Sequence, residues 1–276
     1  MRIVLYLIII VTSLCACSHD SKQKASGTIY VSIEPLRFFT EQIAGDKYDV
    51  KTLVRQGASP ETYEPTAEQL AGLGKCCMFI KVGELGFERT WLKRITKNAP
   101  HTIMKNAGDG IKPVMSTNDI PDQHIWMSTQ NASLIADNIC RYLIEINHKD
   151  SMTFKANTEK LKEKIARTDS TIRTIISQKG CKAFIIYHPA LTYFARDYML
   201  SQIPIEEEGR EPSAAQLKDI VKKGKEMNVK TVFVQCEFPE ANASIVAKGT
   251  GAEIKSINPL SYKWDEEMVN IAKLLK

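Results

Sequence analysis

Short apolar runs alternate with amphipathic helical patterns along most of this chain. Ile29-Tyr30-Val31-Ser32-Ile33 reads as a strand, and Pro35 opens a helical pattern through Leu36, Phe38, Phe39 and Ile43. Further strands are predicted over 48–54, 77–82 and 101–104, with helices over 66–73 and 87–97. Ala132, Ile135, Ala136, Ile139 and Leu143 mark an amphipathic helix over 128–146. The theme returns after 180, with strands over 181–187, 203–206, 231–234 and 253–257 and helices over 190–199, 213–227, 241–248 and 264–275. This alternation predicts parallel sheets covered by helices on both faces, which present ligands at the carboxyl ends of their strands.

Between the halves runs a charged segment, 152–178, without Gly or Pro, in which Leu161, Ile165, Ile172, Ile175 and Ile176 are the apolar positions. As one continuous helix it would span roughly 40 Å; a hairpin of two helices broken near Asp169-Ser170 is the alternative. The expected organisation is an N-terminal lobe over 28–150, a linking helix over 151–179 and a C-terminal lobe over 180–276.

The first residues read as an export signal. Arg2 precedes the apolar run 3–11, too short to cross a bilayer stably. The run leads to Leu14-Cys15-Ala16-Cys17, which resembles a bacterial lipoprotein box. Residues 1–16 are expected to be removed and Cys17 lipidated, with 17–27 a polar tether; an ordinary signal peptide with chance cysteines is the alternative. Hydrophobic residues at 43% and charged residues at 25% are ordinary for a soluble globular protein. The net charge of +5 is spread without a basic block, which argues against nucleic acid as a partner. Cys76, Cys77, Cys140, Cys181 and Cys236 are odd in number and lack zinc-ribbon spacing. They are expected to be buried thiols, with one disulfide between distant members left open.

Two histidines stand out by position. His124 lies in Asp122-Gln123-His124-Ile125-Trp126 and His188 closes Ala183-Phe184-Ile185-Ile186-Tyr187, each where a predicted strand runs out into a turn, in opposite halves. Neutral imidazole is the commonest biological metal ligand. His19, His101 and His148 have no such placement. Gly57-Ala58-Ser59-Pro60-Glu61-Thr62-Tyr63-Glu64-Pro65 is a turn-rich loop carrying Glu61, either a ligand or a solvent-facing acid. Glu206-Glu207-Glu208 reads as a solvated surface patch.

These segments resemble the metal-binding solute receptors of ABC importers for zinc and manganese, in which one rigid helix links two lobes. The resemblance covers essentially everything after the tether. It runs through Gly57 and Tyr63-Glu64-Pro65-Thr66, Asp122-Gln123-His124-Ile125-Trp126 and His188-Pro189-Ala190-Leu191-Thr192-Tyr193-Phe194-Ala195-Arg196-Asp197-Tyr198. Glu211-Pro212-Ser213-Ala214-Ala215-Gln216-Leu217 and Val232-Phe233-Val234-Gln235 continue it in order. Glu61 stands where the family usually has its first histidine, Asn258 where many members have an aspartate, and Gln123 where a proline is usual. The His-rich loop of some zinc members is missing.

The resemblance implies an α/β fold of two lobes, each a parallel sheet covered by helices, joined by one long rigid helix. It implies metal ligands Glu61, His124 and His188, with Asn258 or a water as the fourth. Zinc is expected as the metal, with manganese or iron(II) as alternatives because a carboxylate in place of an imidazole hardens the site. It further implies a lipid-anchored, extracytoplasmic monomer serving an ABC permease, with no catalytic residues. A zinc hydrolase using the same His/His/Glu set is the chief rival, although neither a His-Glu-x-x-His helix nor a Gly-x-Ser-x-Gly elbow occurs. A surface adhesin is the third reading.

Overall fold

The computed structural model describes residues 27–115, 120–206 and 209–276. The expected export signal, lipidated Cys17 and His19, together with Glu207 and Glu208, lie outside the described residues. Strands β1 (Thr28–Val31), β2 (Asp49–Thr52), β3 (Met78–Lys81) and β4 (Ile103–Asn106) form a parallel sheet in the order β2-β1-β3-β4. Strands β5 (Ala183–Ile186), β6 (Ser201–Pro204), β7 (Thr231–Gln235) and β8 (Glu253–Ile257) repeat that winding in the order β6-β5-β7-β8. The inner strands β5 and β7 are buried along their whole length, whereas the edge strands β2 and β8 are partly exposed. In each sheet the winding reverses between its first and third strands, which opens a crevice at their carboxyl ends.

Helices α1 (Glu34–Ala44), α2 (Ala67–Leu73), α3 (Gly86–Asn98) and α4 (Thr129–Ile146) belong to the first half. Pro35 sits in the first turn of α1, and Thr66 and Gln69 cap α2 reciprocally. α5 (Ser151–Lys179) is one uninterrupted helix of 29 residues, about 43 Å long, rather than a hairpin. Phe154, Thr158, Leu161, Ile165, Thr168 and Ile172 are its buried residues, spaced alternately four and three apart. That spacing holds one stripe inward against α1, α4 and α9 (Trp264–Leu274). Gly180, in the left-handed conformation at φ 64°, ends α5. The second half adds α6 (Thr192–Asp197), α7 (Ala214–Glu226) and α8 (Ala241–Thr250).

α9 returns from the second sheet to the first half. Trp264 packs on Phe39 with ring centroids 5.0 Å apart. Its Nε1 donates to the Trp126 carbonyl at 2.7 Å, while Trp126 Nε1 donates to the Pro259 carbonyl at 2.8 Å. Tyr262 donates to Glu41 Oε2 at 2.6 Å. One core cluster therefore runs through both halves, and a smaller one including Ile185, Val232 and Val246 lies on the other side of the second sheet.

Three local expectations change. The helix predicted over 190–199 is only α6, because Ala190 N turns back to the His188 carbonyl and Leu191 N is taken by Gln202 Oε1. β6 ends at Pro204, and Ile205 and Glu206 turn over the end of β5, where both backbone N–H groups reach the Tyr187 carbonyl. All five described cysteines are free, but only Cys76 and Cys140 are buried, and Cys236 is exposed. Among the described residues no helix is long and apolar enough to cross a membrane.

Candidate metal centre

Glu61, His124 and His188, far apart in sequence, meet in one cleft. One ligand atom from each lies within 4.8 Å of the others. The two imidazoles approach through Nε2, 3.2 Å apart. Two nitrogens bound to zinc at 2.0–2.1 Å with a tetrahedral angle between them are about 3.3 Å apart. The rings cross at 71° with centroids 5.0 Å apart.

Each ring is aimed by a carboxylate on its other nitrogen. His124 Nδ1 faces Asp122 Oδ1 at 3.1 Å, and His188 Nδ1 faces Glu206 Oε1 at 2.6 Å. A carboxylate accepts only, so the ring proton belongs on Nδ1 and both Nε2 lone pairs point into the cleft. Glu206 is 5% exposed, so it is no surface acid. Its position follows from β6 lying beside β5, which turns Glu206 onto the His188 ring.

No strand leads into His124. The described residues between Ala107 and His124 are irregular apart from one antiparallel bridge, Met115 to Pro121. Tertiary bonds hold the loop instead: Tyr193 OH donates to the Asp122 carbonyl at 2.8 Å and Asp122 N donates to the Val114 carbonyl at 2.8 Å. His188 does follow a strand, and Gln235 at the end of β7 clasps its backbone. Glu61 is set by its loop, where Phe87 N donates to the Pro60 carbonyl at 3.0 Å. Gly86 is required there, because a Cβ would lie 2.3 Å from the Glu61 carbonyl oxygen.

The cleft favours positive charge. Burial works against the charged form of His124, yet Asp122, Glu61 and Glu206 outweigh it and raise its pKa. Burial likewise opposes the Asp122 carboxylate, but His124 and then Thr192 pull its pKa below the usual range. The cavity offers about 30 Å³ of room for particles the size of water, lined by the three residues and by Trp126, Gln235, Glu237 and Phe238 among others. That is enough for an ion with a water or two.

Asn258 does not line the cleft of the trio. Its Oδ1 accepts from Leu260 N at 3.0 Å, and it lines an adjacent cavity with Arg55 and Gly57. His101 and His148 are exposed and apart. A wider cavity, about 720 Å³, is an open groove between α5 and α9 where Lys164 pairs with Asp265 at 3.1 Å beside Arg167 and Lys273.

Residues 29–273 match the family model described as the zinc-uptake complex component A, periplasmic. The chain belongs to the ZnuA family. A solved structure of ZnuA superposes with a TM-score of 0.86 at 33% identity, covering 89% of this chain and 96% of that one. The high-affinity zinc uptake system protein ZnuA of Bacillus subtilis is 26% identical, over 91% of this chain and 86% of its own. The zinc-binding lipoprotein AdcA of Streptococcus pneumoniae is also 26% identical over 94% of this chain, which spans 56% of AdcA. Within this ZnuA-family chain, sequence reasoning passed over Asp122 and misassigned Glu206. The signal for Asp122 was its place two residues before a candidate ligand. For Glu206 it was only its place just past a predicted strand end.

Proposed function

We propose that this chain is an extracytoplasmic receptor that captures a divalent metal, zinc by preference, and hands it to an ABC permease. The observation that carries the reading is the pair of Nε2 atoms facing each other at 3.2 Å beside the Glu61 carboxylate. Two imidazole nitrogens at that distance share either a proton or a metal cation, and the separation matches two nitrogens on one tetrahedral zinc. Glu61 and His124 come from the proposed 28–150 lobe and His188 from the 180–276 lobe, with 151–179 linking them. Asn258 is left out of the ligand set because it lines the neighbouring cavity and its amide oxygen accepts from Leu260 N.

Intrinsic affinity of imidazole and carboxylate for zinc exceeds that for manganese or iron(II). The zinc-naming of the Bacillus and Streptococcus relatives supports the same choice. Anchoring through an acylated Cys17 agrees with the lipoprotein naming of AdcA, and the receptor works as a monomer.

The test is elemental analysis of protein purified without added metal, followed by competitive titration with zinc, manganese and iron(II). Zinc should bind tightest, and His124→Ala and His188→Ala should each lose it. If both variants bind as tightly as wild type, the reading is wrong.

A further inference from the structure

The turn after β7 brings another carboxylate to the cleft. Gln235 Nε2 donates to the His188 carbonyl at 2.7 Å, and His188 N donates back to Gln235 Oε1 at 3.3 Å. Phe238 stacks on the His188 ring, centroids 5.2 Å apart and planes 18° from parallel. Phe238 N donates to the Gln235 carbonyl at 3.1 Å, closing a turn that holds Glu237 between two residues gripping the same histidine. Glu237 lines the cavity shared by Glu61, His124 and His188. The Cys236 thiol hydrogen-bonds this carboxylate, but Oε2 is buried and meets no hydrogen-bond donor among the described residues.

We propose that Glu237 is the fourth protein donor to the metal held by Glu61, His124 and His188. The inference rests on reading that cleft as a metal site. A buried carboxylate oxygen without a donor is costly, and a cation satisfies it. Neutral imidazoles bring no charge, and Asp122 and Glu206 are engaged by ring N–H groups. Glu61 and Glu237 together supply the two negative charges that balance a dication, and four donors complete the tetrahedron zinc adopts. The Glu237 oxygens lie outside the trio that meets within 4.8 Å. Ligation therefore requires a change of side-chain rotamer, while Gln235 and Phe238 keep the backbone fixed.

The test compares full-length wild type with Glu237→Gln, Asn258→Ala and His188→Ala. Zinc affinity is read by chelator competition, cobalt(II) absorption reports coordination, and melting is followed with and without zinc. Glu237→Gln is expected to weaken zinc by more than about tenfold, since even an outer-shell partner is worth that much. It should also alter the cobalt spectrum, whereas Asn258→Ala does neither. Without metal, Glu237→Gln should melt no lower than wild type, because the amide removes a buried anion. Wild-type zinc affinity in Glu237→Gln, beside loss in His188→Ala, would overturn the role of Glu237 and leave the histidine site standing. A lower metal-free melting temperature with an unchanged cobalt spectrum would overturn it too, marking a structural residue. Undiminished zinc binding by His188→Ala would remove both readings.

Discussion

Asp122 and Glu206 do their work without being donors to the cleft themselves. Each fixes the proton of one imidazole on Nδ1 and so leaves Nε2 free to ligate. Glu206→Ala should keep every proposed donor yet lower zinc affinity by about 10–100-fold in a competition titration. An unchanged affinity would mean that packing against Phe238 alone orients His188. His124 and His188 were legible in the sequence because each sits in an ordered run of motif residues. Glu206 was not, because a run of three glutamates after an apolar stretch has the pattern of a solvated face. Its burial depends on which strand lies next to β5, and strand order leaves no local trace. For Asn258 the motif left a choice between the amide and a water as fourth donor, and its short side chain closes its own turn onto Leu260.

Among the elements, α5 was the most readable, since 27 residues without Gly or Pro and with regularly spaced apolar positions have few other ways to fold. The expected 152–178 became Ser151–Lys179. The stripe from Phe154 to Ile172 ties this helix to partners from both halves. Ile165→Ala should cost about 2–5 kcal/mol of unfolding free energy, measured by urea denaturation. Because α5 continues through the region between the lobes, metal release is expected to come from small tilts and loop motion. Structures with and without zinc should superpose lobe on lobe with little relative rotation; a wide clamshell opening would contradict this. The short α6 was misjudged because apolar residues 190–200 have helical spacing, while the bonds that unwind its ends come from β6 and the turn at Pro189.

At the scale of the whole molecule, two parallel lobes and a rod were legible, but the return of α9 to the first lobe was not. Tyr262 and Glu41 lie 221 positions apart and still bond. Burial, and then the Glu41 carboxylate, pushes the Tyr262 hydroxyl up to about 12. The unfolded chain has a tyrosine pKa of about 10. This tie therefore contributes stability that is fully present below about pH 10 and lost as pH rises toward 12. Melting temperature followed over that range should fall less steeply in Tyr262→Phe than in wild type. The seam that α9 makes also equips the protein with an optical signal of its own. Of three tryptophans, Trp126 and Trp264 are buried there and bonded in series, and the Trp126 ring lies 5.3 Å from that of His124. A dication drawn to His124 changes the field on that indole, so emission should shift on loading. Trp126→Phe should silence the response, and Trp91→Phe should leave it intact, so that occupancy can be followed by light alone.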